Sequence, residues 1–424
     1  MNKKIVFWIT AIIIIAGSVY LFFVKRNSVN NNLTTVKFGM LPYGDHSQAI
    51  IAAKNGWFKE VGIDFQYELI KVEAVLPDLN NNRLDVSSCA PGIILSSYDN
   101  ASNICMFSFA DVFQGYAILA QPGGNYKNYQ ELLKSGLSDK DAIKVAVSQL
   151  KGKTFAYPSE TAIKPFIDIL LEKAGMTRSD FKSLVQDDAI NINAMRNHQA
   201  DFQVGGVPSR ITLQKEGYKE IVSSMDIVKA AMPSPDSKEL SSVFNDGWAI
   251  TKTYYDSHRE TVLRLASVNF RINDFILQHP SQALAIHMPY LSQITGEKYT
   301  TEDGTVIYDH LDPFYNFAAQ RSWFFNDKDP LYYKNLYGSI INSFKNQHIY
   351  KSKIPAVDDV IFADDVYKSL DSLKNTTEKK FLAIDKKPFL KESSENKAKL
   401  AEAHHQYSIY NYLDADKITA DILK

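Results

Sequence analysis

At 424 residues the chain is too long for one ordinary core, and a prior of roughly 150 residues per domain suggests two or three folded units. Hydrophobic residues make up 45% and charged residues 22%, the composition of a globular chain. Lys plus Arg total 47 against 48 acids, a net charge of −1, which excludes a dedicated nucleic-acid binder that displaces counterions with a basic excess. The two cysteines, Cys89 and Cys105, exclude a disulfide-stapled scaffold and a multi-cysteine zinc site.

Lys3 and Lys4 precede an uncharged run over 5–24, and Lys25 and Arg26 follow it. At about 1.5 Å per residue such a run spans roughly the 30 Å of a bilayer core. Ala16-Gly17-Ser18 resembles a cleavage site, but the apolar run continues through Val24. The segment 1–26 therefore reads as an uncleaved signal anchor with the main domain extracytoplasmic (periplasmic); a cleaved, secreted form is the alternative. No cysteine near the run supports a lipid anchor. The asparagine-rich stretch 27–34 reads as a flexible linker.

From Thr35 onward short β-rich runs alternate with amphipathic helical stretches, which predicts an α/β fold with largely parallel sheets. A strand is expected over 36–40, then a helix over 48–61 whose apolar face is Ile50, Ile51, Trp57, Phe58 and Val61, with Gly62 as its cap. Strands over 63–70 and 85–89 flank a short helix near 74–79. The same order recurs as a strand over 154–157, a helix ending at Gly175, a short helix over 192–197 and a strand over 201–204. The ends of the two copies correspond: residues 80–85 face 196–201, and Ala90-Pro91 faces Val207-Pro208. Two similar lobes in one chain is the economical reading. Residues 254–367 read as mainly helical and aromatic-rich, and 371–424 as peripheral helix.

Patterns of catalysis are missing: no G-x-S-x-G elbow, H-E-x-x-H, Walker loop or G-x-G-x-x-G occurs. His404-His405 sits in the polar tail and reads as a surface pair. Cys89 and Cys105 close two candidate neighbouring strands, with buried free thiols the expected state. Neither a catalytic residue, a metal ligand nor a cofactor is assigned. In open α/β sheets ligands gather beyond the carboxyl ends of strands. Those positions here are residues 42–47 and 158–161, although Asp45, Ser47, Ser159 and Thr161 are equally ordinary helix caps.

His46, followed ten residues later by Gly56-Trp57-Phe58-Lys59-Glu60-Val61-Gly62-Ile63, resembles the first helix of ABC-importer solute-binding proteins. The group it resembles takes up nitrate, sulfonates, taurine and pyrimidine thiamin precursors. Asn82-Arg83-Leu84-Asp85-Val86 with Ala90-Pro91, the entry Leu150-Lys151-Gly152-Lys153-Thr154-Phe155-Ala156, and the stretch from Ala200-Asp201 to Pro208 resemble further segments of that family. The similarity runs over about 36–273.

What the resemblance implies is a type II periplasmic-binding fold, two α/β lobes joined by a two-strand hinge and closing around a solute. Lobe I is then 35–118 plus 244–367 with a helical extension, lobe II is 119–243, and 368–424 is a C-terminal tail. The crossovers are expected near 117–121 and 226–244. Candidate ligand contacts by position are Tyr43, Asp45 and His46; Cys89 and Ala90; Asp111, Phe113 and Gln114; Ser159, Glu160, Thr161, Gly205 and Gly206; and Asn245, Asp246 and Trp248 on the return. Asp45, Asp111, Glu160 and Asp246 come without an arginine among them, which favours a neutral or cationic nitrogen-containing solute over a sulfonate or nitrate. The partner implied is a membrane ABC permease. Two alternatives accompany it: a membrane-tethered sensor of the same fold, and an enzyme like the eukaryotic pyrimidine-precursor synthases, whose cysteine-rich cluster this chain lacks.

Overall fold

A computed structural model describes residues 33–158, 163–207, 209–231 and 237–424. The expected anchor and nearly all of the linker lie outside the described residues. Among the described residues no helix is long and apolar enough to cross a membrane.

Among the described residues ten strands form two five-stranded sheets. They are β1 (Thr34–Met40), β2 (Ile63–Leu69), β3 (Val86–Cys89), β4 (Ile104–Phe109), β5 (Ala117–Ala120), β6 (Thr154–Tyr157), β7 (Lys182–Val185), β8 (Phe202–Gly205), β9 (Lys219–Ser223) and β10 (Gly247–Thr251). The first sheet runs β2-β1-β3-β10-β4 and the second β7-β6-β8-β5-β9. In each, three parallel strands are followed by one antiparallel strand inserted before the edge. The inserted strand is supplied from across the molecule: β5 enters the second sheet directly after the chain leaves the first, and β10 enters the first on return. This is the α/β two-lobed architecture expected from the sequence.

The internal repeat persists to individual atoms. Lys37 N–H donates to Asp85 Oδ2 at 2.8 Å while Asp85 N–H donates back to Lys37 O at 2.9 Å. In the second lobe Thr154 N–H donates to Asp201 Oδ2 at 2.9 Å and Asp201 N–H to Thr154 O at 2.9 Å. Asn82 and His198, equivalent in the alignment of the two copies, both take left-handed backbone at φ 55° and 54°. Each aspartate thus locks the third strand of its lobe against the first, immediately after a turn that reverses the chain.

The helix expected over 48–61 is two pieces, Ala49–Asn55 and Trp57–Glu60, divided by Gly56 at φ 75°. Trp57 and Phe58 nonetheless reach the core. Phe58 stacks on Phe65 at 3.8 Å, and Trp248 packs edge-on to Phe38 at 5.3 Å.

The first crossover is displaced from its expected place. Residues 117–120 are a paired strand, and the chain passes between sheets over 110–116 and back over 243–246. Apolar extended chain carries the same pattern whether it pairs within a sheet or leaves it, so the sequence could not separate the two. The crossovers pair with each other at Phe113–Phe244. A third segment lies on the far side of the first crossover: Val112 N–H donates to Pro313 O at 3.0 Å, Gln114 N–H to Leu311 O at 2.9 Å, and Tyr315 N–H to Ala110 O at 3.2 Å. The helical extension therefore supplies part of the connection between the lobes.

Residues beyond 367 pack firmly against lobe I. The helix Ala363–Asp385 runs without a break through that point, and helices Ser394–Ser408 and Tyr412–Leu423 follow. Tyr412 and Leu413 are buried in the main core, and Arg264 holds Asp414 with two bonds of 2.9 and 2.7 Å.

Candidate functional site

The site is built where the carboxyl end of β1, the first crossover and the start of β10 converge. β1 is parallel and β10 antiparallel to β3, so the loop after β1 and the residues before β10 open on the same edge of the sheet. That loop carries Asp45 and His46, and Asp246 directly precedes β10.

A buried polar chain fixes the loop. Ser47 Oγ donates to Tyr43 O at 2.7 Å and therefore accepts from His287 Nε2 at 2.8 Å, whose Nδ1 accepts from Tyr308 OH at 2.8 Å. Burial drives His287 down to about 3, so the ring is neutral. The Ser–His contact superficially resembles a nucleophile and its base, yet the hydroxyl proton points to a backbone carbonyl inside the protein. Its work is to position the loop.

Asp45, His46, Asp111, Asp246 and Asp312 are all buried. His46 Nε2 lies 3.7 Å from Asp45 Oδ2 and 3.7 Å from Asp246 Oδ1. A ring nitrogen of His46 and one oxygen from each of Asp45 and Asp246 fall within 4.8 Å of one another. Asp111 Oδ1 accepts from Asp246 N–H at 3.2 Å, but Asp45 Oδ1, Asp111 Oδ2 and both oxygens of Asp246 and of Asp312 have no hydrogen-bond partner. Burial, and next the charge of Asp45, hold the carboxyls of Asp111, Asp246 and Asp312 well above the usual carboxylate range. Burial lowers His46, partly offset by Asp45. The arginine that acts on Asp312, Arg210, is itself committed to Glu220 at 2.8 Å and Gly115 O at 2.9 Å.

Asp45, His46 and Asp246 form one wall of an interlobe cavity of about 40 Å³, closed by Tyr43, Ala90, Phe113, Tyr116, Gly206 and Phe244, with Asp111 and Asp312 outside its lining. Asp188 of the second lobe also faces it. Its carboxyl is raised to about 7 by burial, opposed by bonds from Ser209 and Gln203. No Lys or Arg lines this inner cavity among the described residues. A second cavity of about 290 Å³ adjoins it through Tyr43, Val72, Pro158 and Asp188, and there Lys71 of lobe I reaches Asp187 of lobe II at 3.9 Å.

Of the sequence-predicted positions, Tyr43, Asp45, His46, Ala90, Phe113, Gly206 and Asp246 line the inner cavity, with Asp111 just behind. A Cβ on Gly206 would stand 2.7 Å from the Phe113 ring, so glycine is what lets the lobes meet there. Other positions serve the scaffold. Trp248 is wholly buried among Phe38, Phe58 and Phe107, because its side chain alternates to the core face of β10. Gln114 donates to His310 O at 3.0 Å, and Asn245 donates to Asp111 O at 3.3 Å. Gly205 sits beneath Ser209, whose Oγ a Cβ would meet at 2.1 Å. Cys89 and Cys105 are buried free thiols; β10 lies between their strands. Ser159, Glu160 and Thr161 lie outside the described residues. Asp312 and Asp188 were missed. Asp312, enclosed by Leu311 and Pro313-Phe314, carried only the weak signal of an acid inside an apolar run.

Residues 127–283 match the family model described as NMT1/THI5 like. No curated protein matches the sequence. Solved structures do match in fold. The alkanesulfonate-binding protein SsuA from Xanthomonas axonopodis pv. citri, bound to MOPS, is 12% identical with a TM-score of 0.57, covering 78% of this chain and 99% of that one. The ligand-binding component of an ABC-type import system from Staphylococcus aureus, with zinc bound, is 15% identical with a TM-score of 0.56, covering 79% and 98%. The periplasmic nitrate-binding protein NrtA from Synechocystis PCC 6803 is 14% identical with a TM-score of 0.52, covering 80% and 88%. At these identities the likeness is one of fold. Together these findings bear out the resemblance read from the sequence: the chain is NMT1/THI5 like over 127–283 and shares the fold of ABC-importer solute-binding proteins over most of its length.

Proposed function

We propose that the protein is an extracytoplasmic solute-binding protein that captures a small solute between its lobes and delivers it to a membrane ABC permease, and that it is not an enzyme. The fold neighbours named for solute binding and import support this reading. Residues 1–26 tether the domain to the membrane in this proposal. The solute is a neutral or cationic nitrogen-containing compound.

One observation carries the choice of solute: buried, unpartnered carboxyl oxygens stand on the wall of the inner cavity, which no Lys or Arg lines, while Lys71 of the adjoining cavity faces Asp187. A sulfonate or nitrate entering here finds buried carboxyl oxygens and no cation in the lining to pair with. A protonated or hydrogen-bond-donating nitrogen meets acceptors in need of donors, beside the rings of Tyr43, Phe113, Tyr116 and Phe244.

A thermal-shift panel on the full chain tests the reading, with aminomethyl- and hydroxymethyl-pyrimidines and polyamines against taurine, alkanesulfonates and nitrate. A ligand at about 100 times its Kd stabilises by roughly 2.7 kcal/mol. Saturable stabilisation by a nitrogen compound supports the proposal. Tight binding of taurine or nitrate alone overturns the choice of solute, and a flat response across the panel counts against small-solute capture.

A further inference from the structure

The innermost groups of the cavity, next to the space left for a solute, stand closer together than acceptors around an ammonium do. His46 Nε2 stands at 3.7 Å from one oxygen of Asp45 and 3.7 Å from one oxygen of Asp246. Both separations exceed hydrogen-bonding range. His46 Nδ1, Asp45 Oδ1 and both oxygens of Asp246 are buried without hydrogen-bond partners. Asp246 is fully buried and His46 and Asp45 nearly so, so no bulk water screens the wall.

The size of the gap discriminates between occupants. Ligands held at about 2.0–2.2 Å around a tetrahedral metal stand about 3.3–3.6 Å apart, close to the observed 3.7 Å. Acceptors arranged around an ammonium at about 2.8 Å stand about 4.6 Å apart. One imidazole nitrogen with carboxylate oxygens is also the donor set of borderline divalent ions. Calcium asks for 6–8 oxygens at about 2.3–2.6 Å, and magnesium for near-ideal octahedral oxygen, neither of which this triad offers.

We propose that Asp45, His46 and Asp246 bind one divalent transition-metal ion of the zinc or cobalt class at the inner end of the interlobe cavity. Asp111 and Asp312 stand behind with free oxygens of their own. The inner cavity of about 40 Å³ suits an ion and its remaining water, whereas the adjoining 290 Å³ leaves room for a larger solute. The ligands come from two chain segments 200 positions apart, both on lobe I, so the ion is held by that lobe alone and lies against the residues of the other.

The test uses the full chain stripped with a chelator and titrated with cobalt(II) and with zinc, in the absence of any organic solute. The expected result is one ion per chain, a raised unfolding midpoint, and a cobalt(II) visible spectrum of low-coordinate N/O type. Asp246→Asn and His46→Gln should each weaken binding ~100-fold or more. Asp246→Asn should also keep a cooperative unfolding transition in the stripped protein, which shows that the variant is folded. His404 and His405 supply an independent surface check, since His405 Nε2 lies 3.4 Å from Glu60. Replacing both by alanine should leave the stoichiometry unchanged. Absence of uptake by the stripped wild type, retention of the ion by both inner variants, or its loss in the surface variant would each overturn the proposal. Because no organic solute is present, a negative result leaves the solute panel to be read by itself.

Discussion

The two sheets share one wiring diagram and differ in what they do with acids. In both lobes an aspartate, Asp85 or Asp201, clamps the third strand to the first, and the antiparallel fourth strand comes from across the hinge. Yet at the cleft, lobe I presents Asp45 and Asp246, backed by Asp111 and Asp312, all with oxygens left unbonded, whereas lobe II presents Asp188 with bonds from Gln203 and Ser209. The shared diagram explains why the fold is stable. The difference explains where binding is concentrated: one lobe holds unmet acceptors, and the other closes over them with Gly206, Pro158 and a satisfied carboxyl.

The largest effect that sharpens this contrast is one of pH. Asp188 titrates near 7 in the folded protein, against 3.8 in its ordinary state, because burial disfavours its charge. Its contribution to stability is therefore complete below about pH 4 and is lost as pH rises towards 7, in total about 4 kcal/mol. Urea unfolding at pH 4 to 8 should show Asp188→Asn gaining on the wild type across that window and level with it in slope above pH 7.5. Parallel curves throughout would mean that the carboxyl is not held neutral.

A second prediction breaks the symmetry of the inserted strands. Gly247 opens β10 and Ala117 opens β5, but a Cβ on Gly247 would stand 1.9 Å from Ser108 O. Gly247→Ala should cost about 3 kcal/mol. Ala117→Gly, at the matching place in the other sheet, should cost about 1 kcal/mol. Thermal unfolding of both variants checks the pair, and equal costs would show that β10 can shift to make room.

Asp312→Asn probes the unmet acceptors without touching the ring of His46. It should stabilise the ligand-free protein at pH 8 by about 2 kcal/mol, as measured by its unfolding midpoint, since neither carboxyl oxygen has a partner to lose. The smallest effect belongs to the outer contacts between lobe II and the extension, where Arg196 pairs with Glu297 at 3.1 Å on a partly exposed surface. Arg196 also holds Glu216 within lobe II, so Glu297→Gln is the variant that removes the outer contact alone; it should change stability by about 0.5–1 kcal/mol, and the change should shrink in 0.5 M salt.

Much of the framework was legible in the sequence because its devices are local. The turn at Asn82 and the turn at His198 sit at equivalent places before an aspartate, so the repeat could be read by alignment of a few residues. Asp45 and His46 were placed at the cleft by the rule that ligands gather at strand ends, and Asp111 and Asp246 by their positions on the fold that the family resemblance implied. Trp248 was not legible as core, because a residue near a strand end can face either side and its register follows from the β10 insertion. Asp312 was invisible for a different reason. It comes to stand behind the other acids by backbone pairing of 311–315 with the first crossover, a contact between segments about 200 residues apart that leaves no local pattern.

The strand exchange also dictates an order of assembly. Every strand of the second sheet lies within 117–223, so that lobe can complete its sheet from one continuous stretch of chain. The first sheet cannot, because β10, at 247–251, belongs between β3 and β4 and is made only after the whole of lobe II. As the chain emerges from its N-terminus, the earliest strands wait with an open edge while the later lobe closes first. The half that carries the acids is thus the last to become rigid, and an unfolded lobe II would leave its partner without a central strand.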